Sequence, residues 1–134
     1  MKSHIIEVRT GSVDIVLDLT ARVAEFVRGE GYGLASVFVP HATAGVAILE
    51  TGAGSDIDLL AAIRDLLPKD DRWRHRHGTA GHGADHVLPG LVAPSITIPV
   101  IDGSLALGTW QSVVLVDTNH DNPIRQVRLS FIPG

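Results

Sequence analysis

The histidines are the residues of this sequence whose type and spacing could carry chemistry. Four of them, His75, His77, His82 and His86, lie within twelve positions, and His41 follows a run of β-forming residues. Neutral imidazole commonly binds zinc, and three protein ligands with one open position are typical of a catalytic centre. Because the sequence has no His-Glu-x-x-His pattern, these ligands would have to converge through folding. From spacing alone, a solvated and mobile histidine-rich loop is an equally good interpretation.

The composition limits both the metal ligands and the partners. Cysteine is absent, which excludes disulfides, thiolate metal sites and cysteine nucleophiles and favours a cytoplasmic protein. Any metal must therefore be held by histidine or a carboxylate. The formal net charge is −4 and no stripe of lysine or arginine follows a predicted helix, so nucleic acid is not an expected partner. No apolar run approaches the length of a membrane span, so we expect no membrane segment.

The stretch around His41 predicts a rigid corner between two strands. Strands are predicted over 33–39 and 46–50, and His41 lies in the turn between them. Gly45 would let the backbone approach a ligand or another chain closely. Glu50 ends the second apolar run, where its carboxylate either enters solvent or serves as a ligand or general base.

Six further strands are predicted, and the one over 12–18 alternates partly at period two. The first two are expected to pair through a turn at Thr10-Gly11, and Asp102-Gly103 is typical of a tight hairpin turn. The last four strands are expected to form a meander. The predicted strands cover 4–8, 12–18, 95–101, 104–107, 111–117 and 126–132.

Apolar residues at intervals of three and four predict the helices. Thr20 is a candidate N-cap, Ser55 and Asp58 have the capping-box spacing, and Pro68 forbids continuation of the second helix. Helices are predicted over 20–30, from Ser55 to Leu67, and within 84–93 with a start at Asp85 or Pro89. The pattern as a whole predicts an α+β fold with a mainly antiparallel sheet, in a single compact domain over 1–134.

Arginines alternate with aromatic and histidine side chains in the polar loop from Lys69 to Gly83. On an extended segment, Trp73 and the histidines would face inward, while Arg72, Arg74 and Arg76 would face solvent or an anion. These arginines could equally balance nearby aspartates. Arg125 precedes the last strand and is suited either to an anion or to a salt bridge.

Several segments together resemble the YjbQ-like family, also called the secondary thiamine-phosphate synthase family. They are His41-Ala-Thr-Ala-Gly with Glu50, Trp73-Arg-His75, Asp85-His86, the segment from Pro99 to Gln111 with its Gly-Thr-Trp-Gln, and Asp121-Asn-Pro-Ile-Arg125. The resemblance implies an α+β homotrimer with a histidine-lined pocket regarded as a metal site. It also implies an ability to stand in for thiamine-phosphate synthase.

Matched position by position, the resemblance implies that His41, His75 and His86 bind the metal. His77 and His82 match no family position. Glu50 matches the family's glutamate, but the asparagine before it is Leu49 here, and the following Asp-Pro pair is Ala53-Gly54. These departures remove polar groups from that corner.

We therefore expect a metal-dependent enzyme that acts on a small phosphorylated substrate, with a divalent metal, zinc, as cofactor. His41, Glu50 and Arg125 are the expected catalytic residues. The expected substrate-binding residues are Thr43, Trp110, Gln111 and Arg125, although Trp110 also suits the core or an interface. The alternative, from another class, is a trimeric protein that binds a metal or metabolite without specific catalysis.

Overall fold

Two antiparallel sheets and three helices make up the computed structural model, which describes residues 1–134. The predicted α+β class is therefore confirmed. The strands are β1 (Lys2–Arg9), β2 (Ile15–Asp18), β3 (Gly33–Phe38), β4 (Ala44–Leu49), β5 (Ser95–Ile101), β6 (Ser104–Leu105), β7 (Ser112–Asp117) and β8 (Ile124–Pro133). The helices are α1 (Thr20–Val27), α2 (Ser55–Leu66) and α3 (His82–Val87), and a single 3₁₀ turn (Leu88–Gly90) follows α3.

The larger sheet has the strand order β1-β8-β3-β5-β6, and the smaller sheet has the order β2-β7-β4. In β8 every second residue from Arg125 to Phe131 is buried, because only one face of the larger sheet meets the core. In β7 all residues from Val113 to Asp117 are buried. The continuous apolar run of β7 is explained by burial on both faces of the smaller sheet.

The core has two parts, one on each side of the smaller sheet. The main cluster lies between the two sheets and includes Val23, Phe26 and Val27 of α1. The second cluster joins Val114 and Val116 of β7 to side chains of α2 and α3. Helices α2 and α3 are therefore held on the face of the smaller sheet that points away from the larger one. No helix of the structure has both the length and the apolar character needed to cross a lipid bilayer.

Two predictions about strand pairing were wrong. β1 pairs with β8 and β2 pairs with β7, so the first two strands lie in different sheets instead of forming a hairpin. The turn at Thr10 bonds to the C-terminal half of the chain, since its backbone N–H donates to the carbonyl of Pro123. The last four strands form no meander either, because β7 joins the smaller sheet and β8 lies between β1 and β3. The hairpin at Asp102-Gly103 is confirmed by the pairing of β5 with β6.

The predicted helix caps were also wrong. Leu19 occupies the N-cap of α1, and the hydroxyl of Thr20 instead accepts a hydrogen bond from the backbone N–H of Val113 at 2.9 Å. Gly54 caps α2 in a left-handed conformation, so Ser55 is already helical and forms no capping box. Both hydroxyls lie one residue inside the helix, where a side chain cannot bond to the free N–H groups of the first turn.

The connection between β3 and β4 carries the chain from the larger sheet to the smaller one, and Gly45 allows that crossing. A Cβ atom at Gly45 would lie 2.0 Å from the carbonyl oxygen of Val92. The backbone N–H of Val46 donates to the carbonyl of Ala93 at 2.8 Å, which holds the two segments at this short separation. The close approach at Gly45 is thus made to a segment of this chain, whereas the sequence predicted a ligand or another chain as the neighbour.

We predict that Gly45→Ala lowers the free energy of unfolding by about 1–3 kcal/mol, because the added methyl group must push the segment at Val92 away. Urea denaturation followed by circular dichroism measures the change. Gly90→Ala is the matched control, since no atom lies within 4 Å of a Cβ at that position. Equal stability of the two variants would contradict the close packing described here.

Candidate metal centre

Four histidines meet at one end of the smaller sheet. His82 and His86 lie four residues apart on α3, which places their side chains on one face of the helix. His75 and His77 come from the loop that precedes α3. One ligand atom from each of the four rings lies within 4.8 Å of the others. Folding therefore brings two local pairs into a single cluster, which we call the histidine cluster.

The loop is fixed against α3 by Trp73 and Gly83. The indole N–H of Trp73 donates to the carbonyl of Pro68 at 2.8 Å, and its ring packs on the second core cluster. A Cβ atom at Gly83 would lie 2.4 Å from the Cβ of Trp73 and 2.5 Å from the carbonyl oxygen of His75. Only glycine lets the loop lie this close. Trp73 is half-buried while Arg72, Arg74 and Arg76 are exposed, so the predicted alternation holds for the arginines and the tryptophan.

The spacing of the ring nitrogens suits a tetrahedral ion of the zinc type. Two nitrogen ligands of zinc lie about 3.4 Å apart when each is about 2.1 Å from the metal. The Nε2 atoms of His82 and His86 are 2.8 Å apart and share a hydrogen bond, so a small opening of this pair is needed. The rings of His75 and His86 stack with centroids 3.8 Å apart. The Nε2 atom of His75 is buried without a hydrogen-bond partner. A bound cation would accept the lone pair of this nitrogen and so satisfy it.

The surroundings of His75 and His86 disfavour the protonated form of these two rings. Burial, with the neighbouring His77 and His82, lowers the pKa of His75. Burial, with the neighbouring His75, His82 and His77, also lowers the pKa of His86. Because a metal ligand must be an unprotonated imidazole, these shifts extend to lower pH the range in which the site is available.

A buried arginine lies across a shared cavity from the cluster. Arg125 is 2% exposed, and it donates from Nε to Oδ2 of Asp117 at 2.7 Å and from Nη2 to the hydroxyl of Thr43 at 2.7 Å. A cavity of about 280 Å³ is lined by Arg125 and Thr43 together with His41, Ala42, His77, His82, His86 and Asn122. The cluster and a guanidinium group therefore open on the same space, which suits an anionic ligand.

His41 lines this cavity but lies outside the histidine cluster. Its Nε2 atom accepts a hydrogen bond from the backbone N–H of Gln126 at 3.0 Å, so the neutral ring carries its proton on Nδ1. Burial is the main cause that lowers the pKa of His41, and the positive charge of Arg125 adds to it, while Asp117 opposes it. With the lone pair of Nε2 engaged in this way, the neutral ring keeps its Nδ1–H as a hydrogen-bond donor.

A buried ion pair supports α3 from below. Lys69 lies 3.2 Å from Oδ1 of Asp85 and also donates to the carbonyl of Thr118, whose hydroxyl donates to Asp85. Burial raises the pKa of Asp85, and Lys69 acts in the opposite direction. The Oδ2 atom of Asp85 is 3.9 Å from Nδ1 of His82. The carboxylate between the two helical histidines is thus turned inward as a support for the helix.

The structure does not bring Glu50, Trp110 and Gln111 to the cavity within one chain. β4 begins beside Thr43 and runs away from the cavity, so Glu50 lies about 20 Å from it. Leu49 pairs with Ser112, which places Glu50 next to Gln111 at the far end of the same sheet. All three residues are exposed, with Trp110 at 73%. The predicted site residues therefore form two groups at opposite ends of the smaller sheet.

The histidine cluster contains two residues that the family resemblance did not include among the metal ligands. His77 and His82 join His75 and His86, whereas His41 stays on the opposite wall of the cavity. The missed signal is the i, i+4 spacing of His82 and His86. It went unused because the helix was predicted to start at Asp85 or Pro89, whereas α3 begins at His82.

Comparisons with known proteins agree with this fold. The sequence model of the family described as UPF0047 protein YjbQ-like matches residues 4–134. The chain is 60% identical over 134 residues to a UPF0047 protein of Mycobacterium tuberculosis, with 100% of each chain covered. It is 33% identical over 115 residues to the UPF0047 protein YugU of Bacillus subtilis, covering 81% of this chain and 83% of the relative. A crystal structure of a hypothetical protein of Aeropyrum pernix superimposes with a TM-score of 0.88 at 33% identity, with 100% of both chains covered.

Proposed function

The chain belongs to the UPF0047 protein YjbQ-like family, and we propose that it is a cytoplasmic, metal-dependent enzyme that acts on a small phosphorylated substrate. One observation carries the proposal: the histidine cluster and the buried guanidinium of Arg125 open on the same cavity. A cation site beside a fixed positive side chain is an arrangement that suits the charge of a phosphate group.

The metal would be held by three or four of the histidines of the cluster, His75, His77, His82 and His86. An all-imidazole set favours zinc over magnesium, which prefers oxygen ligands. A zinc ion bound in this way supplies a Lewis acid and lowers the pKa of bound water. If only three rings bind, the fourth position stays open toward the cavity.

On the opposite wall, Arg125 would fix the anion and His41 would move a proton. Asp117 and Thr43 hold the guanidinium group in one orientation, so no side-chain freedom is lost when the anion binds. His41 is neutral near neutral pH because burial and Arg125 disfavour its charged form. It would accept a proton on Nε2 once that atom releases the backbone N–H of Gln126.

Hydrolysis suits these residues better than a transfer reaction. In thiamine-phosphate synthesis a pyrimidine diphosphate loses pyrophosphate to a thiazole phosphate, and departure of pyrophosphate normally requires magnesium and oxygen ligands. The cluster offers only nitrogen ligands, and its nearest carboxylates are turned toward lysine, threonine or histidine. We therefore regard the thiamine-phosphate synthase activity that the resemblance implies as a side activity.

The metal ligands are tested by titration of chelator-treated protein with Co²⁺, read from its visible absorption, and by competition with Zn²⁺. His75→Ala, His82→Ala and His86→Ala should each weaken binding by more than about 100-fold, since the loss of a ligand costs more than the loss of an outer partner. His41→Ala should retain the metal because His41 lies outside the cluster. His4→Ala, on β1, is the control.

Two outcomes would count against this ligand set. Tight binding of Co²⁺ in all three cluster variants would reject the cluster as the metal site. A loss of binding in His41→Ala equal to that in His82→Ala would restore the ligand set that the family resemblance implies.

The anion site is tested with inorganic phosphate by calorimetry. Arg125→Lys keeps the charge beside Asp117 but loses the planar fork, so the affinity should fall by about tenfold or more while Co²⁺ still binds. Arg128→Lys is the matched control, since Arg128 lies on the same strand and donates to Ser3 on the outer face of the sheet. The zinc-loaded protein should also release nitrophenol from p-nitrophenyl phosphate. Turnover no higher than that of His82→Ala, over a panel of phosphate monoesters, would reject catalysis.

The second candidate is a homotrimer that binds a metal or metabolite without catalysis, and the distribution of charge favours assembly. Glu50 and the first turn of α2, with Asp56 and Asp58, form an acidic end, whereas the exposed Arg74 and Arg76 lie on the loop that carries His75 and His77. Head-to-tail contact of these ends would bring Glu50 of one copy toward the cavity of the next and close into a ring. Sedimentation equilibrium tests this assembly, and the mass of a single chain would reject it.

A further inference from the structure

His82 is the most constrained of the cluster histidines, and the constraint acts on its Nδ1 atom. The residue is 7% exposed, and Nδ1 lies 3.0 Å from Oδ2 of Asp121. The side-chain amide nitrogen of Asn119 is 3.4 Å from the same atom. The opposite ring nitrogen, Nε2, points at His86. One nitrogen of the ring thus faces a carboxylate while the other faces the cluster.

The shorter of these two contacts decides the tautomer. The negative charge of a carboxylate oxygen 3.0 Å away favours a proton on Nδ1, whereas a lone pair on Nδ1 would be repelled by that charge. The amide of Asn119 would require a lone pair on Nδ1, but its contact at 3.4 Å is the weaker one. Nδ1 therefore carries the proton, and the lone pair on Nε2 faces His86. In the metal-free protein, His86 donates the hydrogen bond between the two rings.

Asp121 lies in the loop that follows β7 and is itself held in place by that loop and by the loop before α3. The hydroxyl of Thr79 donates to its Oδ2 atom at 3.2 Å, and its backbone N–H donates to Oδ1 of Asn119 at 2.8 Å. The side chain of Asp121 is 29% exposed, so its charge remains partly solvated. The carboxylate is thus oriented before any metal binds.

We propose that Asp121 is a positioning residue for the metal centre: it holds His82 in the tautomer that presents Nε2, and its negative charge strengthens His82 as a ligand. A carboxylate behind a metal-binding imidazole raises the basicity of the ligand and fixes the orientation of the ring. A carboxylate in this position is especially important here, because four neutral imidazoles contribute no negative charge to balance a divalent ion. The inference rests on the metal site of the proposed function.

The test uses Asp121→Asn, which keeps the shape of the side chain and removes its charge. Co²⁺ affinity should fall by about 10- to 100-fold, and the visible spectrum of bound Co²⁺ should shift. Asp121→Glu should recover part of the affinity. Asp70→Asn is the matched control, because Asp70 is an exposed aspartate in the loop before α3 and pairs with Arg72. Thr79→Ala removes only one hydrogen bond to Asp121, so the Co²⁺ affinity should fall less in this variant than in Asp121→Asn.

A second measurement does not depend on metal binding. Ring ¹⁵N chemical shifts of His82 in the metal-free wild type should report a proton on Nδ1, and Asp121→Asn should move the population toward a proton on Nε2. A proton on Nε2 in the wild type would overturn the inference, even if Asp121→Asn failed to fold.

The two proposals fail in different ways. Absence of Co²⁺ binding in the wild type would reject the metal centre, whereas the ring shifts would still report the tautomer. Tight binding in the wild type with equal affinity and spectrum in Asp121→Asn would reject the role of Asp121 alone.

Discussion

The buried ion pair between Arg125 and Asp117 is the interaction on which the arrangement of the site depends. Arg125 belongs to the larger sheet and Asp117 ends the central strand of the smaller sheet, so their two hydrogen bonds join the sheets at one edge. A charge at this depth must remain paired, because an uncompensated partner would destabilise the fold by several kcal/mol. Thr43, which accepts the third bond, draws the corner before β4 into the same network.

This pair also explains why the cavity forms where it does. The same edge of the smaller sheet carries the segment after β7, which holds Asp121 against His82. Helix α3 is anchored on the outer face by the second core cluster and by the pair between Lys69 and Asp85. The histidine cluster is thus built on packed elements. Trp73 fixes the loop that carries His75 and His77 to these elements. Such support is what a metal site needs to hold its ligands in one geometry.

The charges around the site have separate roles that follow from their burial. Arg125 is enclosed and oriented, and therefore suits a specific anion, whereas Arg74 and Arg76 are exposed and act through long-range attraction that salt would screen. Asp85 and Asp121 face the Nδ1 atom of His82, whereas the Nε2 atom of that ring faces His86. An all-nitrogen set of ligands with carboxylates behind it would suit zinc.

The sequence by itself determined the elements and the chemistry that is available. Its apolar periodicities are local, so they placed the strands and helices, and the absence of cysteine limited the metal ligands to histidine and carboxylate. The motif order also identified the family correctly. Only the tertiary structure decided that β1 pairs with β8, that His77 and His82 complete the cluster, and that Glu50 lies at the far end of the sheet. Those outcomes depend on contacts between residues far apart in the chain. The free energies of such contacts are set by packing and burial, and the contacts produce no periodic pattern in the sequence.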